Sequence, residues 1–179
     1  MYFTKKCINL YDYQQKSQKE DVLKEITIVL DRLRSAHNTG NIFRIAEATG
    51  AKEIIACGYT PAPPHPKLAK TAMGTDTMVA CRQMPDSATA VRTLRQEGCK
   101  MILCADALEG STPAWEKEYE FPLAIVFGNE ALGILPETLE LCDGVVSLPM
   151  LGQKASINVG NAAAAILYAV LAKNKITRN

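Results

Sequence analysis

Three stretches of this sequence carry residue types that can do chemistry. In HNTGNIFRIAEATG, Asn38, Asn41 and Arg44 recur at three-residue spacing, so on a helix they line one edge. An arginine near the open amides of a helix's first turns suits a phosphate or a ribose oxygen. A plain surface pairing of Arg44 with Glu47 would fit the same spacing. In FGNEALG, residues 127–133, an amide and a carboxylate (Asn129 and Glu130) sit in a turn with two glycines. A carboxylate there would repel a triphosphate and would orient a hydroxyl or an arginine, or act as an N-cap-like acid for the turn that follows. In LPMLGQKASINVGNAAAAIL, Ser156, Asn158 and Asn161 gather where a helix starts. Ser156 is the expected N-cap, and amides with the positive dipole end favour ligand oxygens there.

Other chemistries are excluded by pattern. The sequence has no GxGxxG, HExxH or GxSxG, and the GxxxxG of Gly128–Gly133 is followed by Ile134 and Leu135 where a P-loop needs Lys and Ser or Thr. The six cysteines (Cys7, Cys57, Cys81, Cys99, Cys104, Cys142) show no CxxC and no metal-like spacing. Most lie in apolar strand-like runs, so reduced thiols are expected, and no metal site. His37 and His65 fall in a helix lead-in and a proline loop and read as exposed imidazoles. With 179 residues, 47 % hydrophobic and net charge +1, the chain suits one globular domain, and any basic patch must be local. Its front, MYFTKKCINLYDY, lacks the apolar core of a signal peptide, and Ala162–Ala172 is roughly half a membrane span, so a cytoplasmic protein is expected.

These residues need elements to position them. Residues 1–24 are polar and weakly periodic, an extension that is partly helical at most. Strands are expected at Glu25–Leu33, Lys52–Cys57, Thr77–Cys81, Lys100–Ala105, Pro122–Phe127 and Gly144–Leu148. Helices are expected from Asn38–Gly40 to Gly50, over Pro66–Met73, over Asp86–Glu97 capped by Asp86 or Ser87, over Pro136–Cys142, and from Ser156 to Ala172. Tyr59–Pro66, with four prolines in eight residues, is a loop, and Asp106–Glu120 a polar connection. Alternation of strand and helix predicts a parallel α/β sheet with helices on both faces. The run PLAIVF marks a central strand covered on both sides. The helix after Asn161 is apolar all round and must be buried all round, and one way to do so is to lay one face against a second copy of the chain. Ligands in such sheets bind outside the carboxyl ends of strands.

Taken in order, HNTGNIFRIAEATGA, IVFGNEALGI and SLPMLGQKASINVGNAAAAIL resemble the three motifs of the SpoU/TrmH branch of the SPOUT RNA methyltransferases, a match running over roughly residues 26–172. The resemblance implies an α/β-knot domain at residues 25–173, with the segment 174–179 a tail. It implies a C-terminal deep trefoil knot, against the general rule that chains are unknotted, and a homodimer with the active site near its interface. It implies S-adenosylmethionine as cofactor, held at Gly128, Leu148, Met150, Gly152 and Ile157, and methyl transfer to a ribose 2′-hydroxyl of tRNA or rRNA, tRNA preferred. Arg44, Asn38, Glu130, Ser156 and Asn158 would be its catalytic residues, with one subunit's Arg44 serving the other's cofactor. Asn38 would position Arg44 or the ribose, and Glu130 would orient the arginine or neighbouring groups. Arg32, Arg34, Lys67, Lys70 and Lys154 are candidates for a local RNA footprint. The alternatives are a non-catalytic RNA-binding homologue of the same fold and a small-molecule α/β enzyme using another nucleotide.

Overall fold

The structure is a computed structural model, and it describes residues 25–174. The expected extension 1–24, with Cys7, and the last tail residues lie outside that range. Seven strands form one parallel sheet: β1 Ile26–Asp31, β2 Glu53–Cys57, β3 Ala80–Met84, β4 Met101–Ala105, β5 Thr112–Pro113, β6 Leu123–Phe127 and β7 Gly144–Ser147. The spatial order is β3-β2-β1-β6-β4-β7-β5. β6 is therefore central, its Ile125 beside Ile28 of β1 on one side and Leu103 of β4 on the other. A strand apolar at five consecutive positions fits that place because both its faces are covered.

The helices are α1 Ala36–Thr49, α2 Pro66–Ala72, α3 Ser87–Gln96, α4 Pro136–Leu139 and α5 Val159–Lys173. They divide between the two faces. Ile28, Leu30, Ile54, Ile125 and Phe127 pack under Ile42, Phe43 and Ala46 of α1, Leu68 of α2 and Ile166, Leu167 and Val170 of α5. On the opposite face Val29, Ile55, Ile102, Cys104 and Val126 meet Ala90, Val91 and Leu94 of α3. The period-two alternation of strand side chains supplies both cores from the same strands. Each fully buried Leu, Ile or Phe contributes about 1.5–3 kcal/mol against leaving it in water.

Helix α1 starts earlier than the sequence suggests. Ser35 is its N-cap, accepting from the Asn38 amide at 3.2 Å, and Gly50 ends it at φ 67°. Gly40 lets α1 touch α2: a Cβ there would stand 2.1 Å from Thr71 Oγ1, whose hydroxyl donates to the Ala36 carbonyl.

Four other expectations change. Strand β3 is displaced to Ala80–Met84 because Thr75–Thr77 forms a 3₁₀ turn in its place. The connection 106–120 contains the two-residue strand β5, which pairs Thr112 with Val146 of β7. The last helix begins at Val159, with Asn158 rather than Ser156 as N-cap; Asn158 Oδ1 accepts from the amides of Gly160 (2.9 Å) and Asn161 (3.4 Å). The Ser156–Asn158 segment stays irregular, lining a cavity instead. Within one chain α5 is buried only along Gly160, Ala163, Ile166, Leu167 and Val170, while Ala165, Tyr168 and Ala172 are exposed.

Thiols are packing groups here. Cys57 and Cys104 are buried, and Cys81, Cys99 and Cys142 half-buried, all free. Burial pushes the Cys57 thiol up to about 12 and that of Cys81 to about 11. Neither ionises at neutral pH.

Candidate functional site

A cavity of about 530 Å³ opens at the carboxyl ends of β4, β6 and β7, within the range of roughly 300–1,000 Å³ typical of small-molecule sites. Three separated segments wall it: Phe127–Glu130 after β6, Val146–Met150 after β7, and Ala155–Val159 leading into α5. Asn38 of α1, Asp106 at the end of β4 and Ile166 of α5 also line it. The wall mixes apolar side chains (Phe127, Val146, Leu148, Met150, Ile157, Ile166) with few polar ones, the usual composition of a nucleoside-sized pocket. The floor is tight. A Cβ on Gly128 would fall 2.6 Å from the Gly133 carbonyl carbon, so only glycine lets the strand end approach the returning turn.

That turn is built by Asn129. Its Oδ1 accepts from the amides of Ala131 (2.9 Å) and Leu132 (3.0 Å), and its Nδ2 donates to the Arg32 carbonyl (2.6 Å) and to Tyr59 Oη (3.1 Å). With Asn129 folded inward, Glu130 projects to the front of α1. Its carboxylate accepts from the Arg34 amide (3.0 Å), the Ser35 amide (3.3 Å) and Asn38 Nδ2 (2.9 Å). Glu130 is an acid at a helix start, but at the start of α1, not of the turn that follows it. Partial burial pulls its carboxyl upward, and the donors from Arg34, Asn38 and Ser35 outweigh that and hold it below the ordinary glutamate value.

The chain of contacts continues. Asn158 Nδ2 donates to Asn38 Oδ1 at 3.0 Å, while the same side chain caps α5. Glu130–Asn38–Asn158 therefore joins the three motif segments by side-chain hydrogen bonds alone. Gly160 lies against Asn41, whose Nδ2 a Cβ at that position would meet at 2.4 Å.

The expected site residues divide accordingly. Asn38, Glu130, Ser156, Asn158, Gly128, Leu148, Met150 and Ile157 all border the cavity; Gly152 and Arg44 do not. Arg44 is exposed on α1 in a shallower depression with Asn41, Ile45, Glu47, Ala72, Met73 and Tyr168 of α5. It is not ion-paired with Glu47, and within the chain neither Asn38 nor Glu130 touches it.

Among the expected RNA contacts, Arg32 is committed internally. At φ 54° it binds Asp31 through Nε (2.9 Å) and Nη2 (3.0 Å) and reaches the Gly133 carbonyl (3.4 Å). Arg34, Lys67, Lys70 and Lys154 are exposed. His65 is a cap rather than a free imidazole, its Nδ1 accepting from the Leu68 amide. His37 is exposed, as expected. Sequence reading missed Asp106, and it noted Asn129 without its turn-building role. An acid directly after the apolar run MILCA was the available signal for the former, since ligands gather at such strand ends. Among the described residues no cluster of three or more His, Cys, Asp or Glu forms a metal site, and no helix is long and apolar enough to cross a membrane.

Comparison with known proteins converges on one group. A family model described as the SpoU rRNA methylase family matches residues 25–168. The chain is 35% identical over 154 residues to a tRNA (guanosine(18)-2′-O)-methyltransferase of Thermus thermophilus, covering 83% of this chain and 77% of that one. It is 31% identical to the 23S rRNA (guanosine-2′-O-)-methyltransferase RlmB of Ralstonia nicotianae, over 84% of this chain and 60% of the relative. Among solved structures, the SpoU methyltransferase AviRb from Streptomyces viridochromogenes in complex with AdoMet superposes with a TM-score of 0.76 at 29% identity, covering 85% of this chain and 58% of AviRb. The chain thus spans about three-fifths of the length of RlmB and of AviRb.

Proposed function

The chain belongs to the SpoU rRNA methylase family, and from that premise we propose that it transfers a methyl group from S-adenosylmethionine to a ribose 2′-hydroxyl of tRNA or rRNA, tRNA preferred. The observation that carries this reading is the cavity itself, walled by all three motif segments and tied by Glu130, Asn38 and Asn158. Its volume and its apolar wall with a few polar side chains fit a nucleoside-bearing cofactor. When bound, S-adenosylmethionine supplies an already activated sulfonium methyl.

The residues divide the remaining work. Gly128, Leu148, Met150 and Ile157 hold the cofactor by backbone and apolar contact, with Gly152 in the flanking loop. Asp106 adds a carboxylate to the same wall. Glu130 spends its oxygens on the front of α1 and so fixes Asn38, whose amide is poised at the cavity edge toward the incoming ribose. Ser156 and Asn158 shape the far wall. Arg44 acts on the acceptor: a guanidinium keeps its proton above pH 12, so it grips the phosphate or stabilises the developing alkoxide rather than serving as a base.

Arg44 reaches a cavity other than its own in this reading. The protein is a homodimer packed through the exposed side of α5, where Tyr168 adjoins Arg44, and each active site is completed across that interface. The C-terminal segment threads a loop to form a deep trefoil knot; support comes from the way the chain leaves β7, lines the cavity and returns as α5 against α1. Arg34, Lys67, Lys70 and Lys154 contact RNA, and the protein works in the cytoplasm.

The test is incubation of purified protein with methyl-labelled S-adenosylmethionine and total RNA from a strain deleted for the gene. Label mapped to ribose 2′-O-methyl nucleotides is the expected result. Cofactor binding by calorimetry without label transfer would favour an RNA-binding homologue, and absence of cofactor binding would overturn the reading.

A further inference from the structure

One aromatic side chain, bonded to a residue that lines the cavity, is anchored by its polar end and left open elsewhere. Tyr59 follows β2 in the proline-rich loop, and its hydroxyl accepts from Nδ2 of Asn129, the residue that builds the cavity's glycine turn. Asn129 is 4% exposed, whereas Tyr59 is 57% exposed. Tyrosines more often bury the ring and present the hydroxyl to water; here the polar end is tied to a buried amide and over half of the residue faces solvent.

The surrounding backbone is fixed on both sides. The Gly58 amide donates to the Met84 carbonyl at 3.0 Å, and the Thr60 amide to the Cys57 carbonyl at 3.2 Å. Buried Thr60 Oγ1 accepts from the Leu33 amide (2.9 Å) and donates to the Leu30 carbonyl (3.1 Å). The Tyr59 hydroxyl is thus tied to the cavity turn, while the neighbouring Thr60 side chain ties the same loop to the β1 end that leads into α1. A ring held in this way loses little further freedom on binding.

We propose that Tyr59 is a stacking platform for an unpaired base of the RNA substrate beside the nucleotide whose ribose enters the cavity. The proposal rests on the methyltransferase reading above. Unpaired bases splayed onto aromatic side chains are how proteins take hold of RNA loops. A chain of net charge +1 has little electrostatic pull on RNA to spare, so stacking carries a share of the affinity that charge does not.

The experiment compares wild type, Tyr59→Leu and Tyr59→Phe by filter binding to in vitro transcribed tRNAs and 23S rRNA fragments across a salt titration, with cofactor affinity measured alongside by calorimetry. The expected result is a loss of roughly 5- to 100-fold in RNA affinity for Tyr59→Leu. The salt slope and cofactor affinity stay unchanged, and Tyr59→Phe restores most of the binding. Equal loss in both variants assigns the effect to the hydroxyl and its turn, and overturns the platform. No loss in Tyr59→Leu, where wild type binds and methylates RNA, overturns the platform alone. Wild type that neither binds nor methylates RNA overturns the methyltransferase reading and the platform with it.

Discussion

Asn38 and Arg44 stand on one helix and live in different surroundings. Six residues of helix separate them, about 9 Å along the axis. At the front, Asn38 is bonded on both sides, to Glu130 and to Asn158, and borders the cavity. Farther along, Arg44 is exposed beside Tyr168 and outside that cavity. The front is a closed network that fixes shape; the arginine is an exposed charge with no ion-pair partner among the described residues. Six residues of helix leave Arg44 rotated about 120° from Asn38, so a repeated three-residue spacing does not bring both to one task.

The largest expected effect breaks the contrast at its open end. Arg44→Ala should lower the methyl-transfer rate about 10²- to 10³-fold with cofactor affinity unchanged, because a charge acting on the transition state is lost while the cavity stays intact. Mixing it with Glu130→Ala subunits should restore about a quarter of wild-type activity, as half the twofold dimers gain one whole site. No recovery, with mixed dimers shown by mass spectrometry, would place Arg44 at its own subunit's cavity.

Smaller is the effect at the closed end. Glu130→Gln should cost about 1 kcal/mol in urea unfolding and reduce activity roughly 10-fold, since a charged acceptor shared by three donors becomes a neutral one. The pH dependence has a definite sign. Glu130 lies below its ordinary value when folded, so its stabilisation is complete above the usual carboxyl range and is lost as pH falls through the folded value. Thermal melts between pH 3 and 7 should therefore show a shallower acid decline for Glu130→Gln than for wild type.

A third change sharpens the comparison because it leaves activity alone. On edge strand β3, Arg82 binds Glu53 (2.7 Å) and Glu97 (2.7 Å). Both carboxylates, Glu97 foremost, raise the guanidinium above its usual value. Arg82→Ala should cost about 2 kcal/mol by urea unfolding, mostly by stranding the buried charge of Glu53, with kcat unchanged. A fall in kcat would mean that this distant edge reaches the site.

Much of this was legible in the sequence, for identifiable reasons. PLAIVF could only be a strand covered on both faces, and it is central. Of the two caps read for α3, Asp86 and Ser87, Asp86 is the one used, its carboxylate accepting from the Thr89 amide. The segment SINVGN offered several capping side chains, and spacing alone does not choose among them; tertiary contact with Asn38 selects Asn158. Strand β5 is two residues long and has no periodicity to read, and Thr75–Thr77 looks β-branched but turns. The inward fold of Asn129 was equally hidden, because its partners Arg32 and Tyr59 lie 97 and 70 residues away.

The position of β6 also shapes how the protein comes into being. The central strand, Leu123–Phe127, is made after both of its neighbours, β1 and β4. On a ribosome adding about 5–20 residues per second, β4 waits one to several seconds for its partner. During that interval two largely apolar strands stand with open edges that match one another and any similar edge nearby. The nascent chain therefore carries open apolar edges on β1 and β4 from the synthesis of β4 until β6 follows.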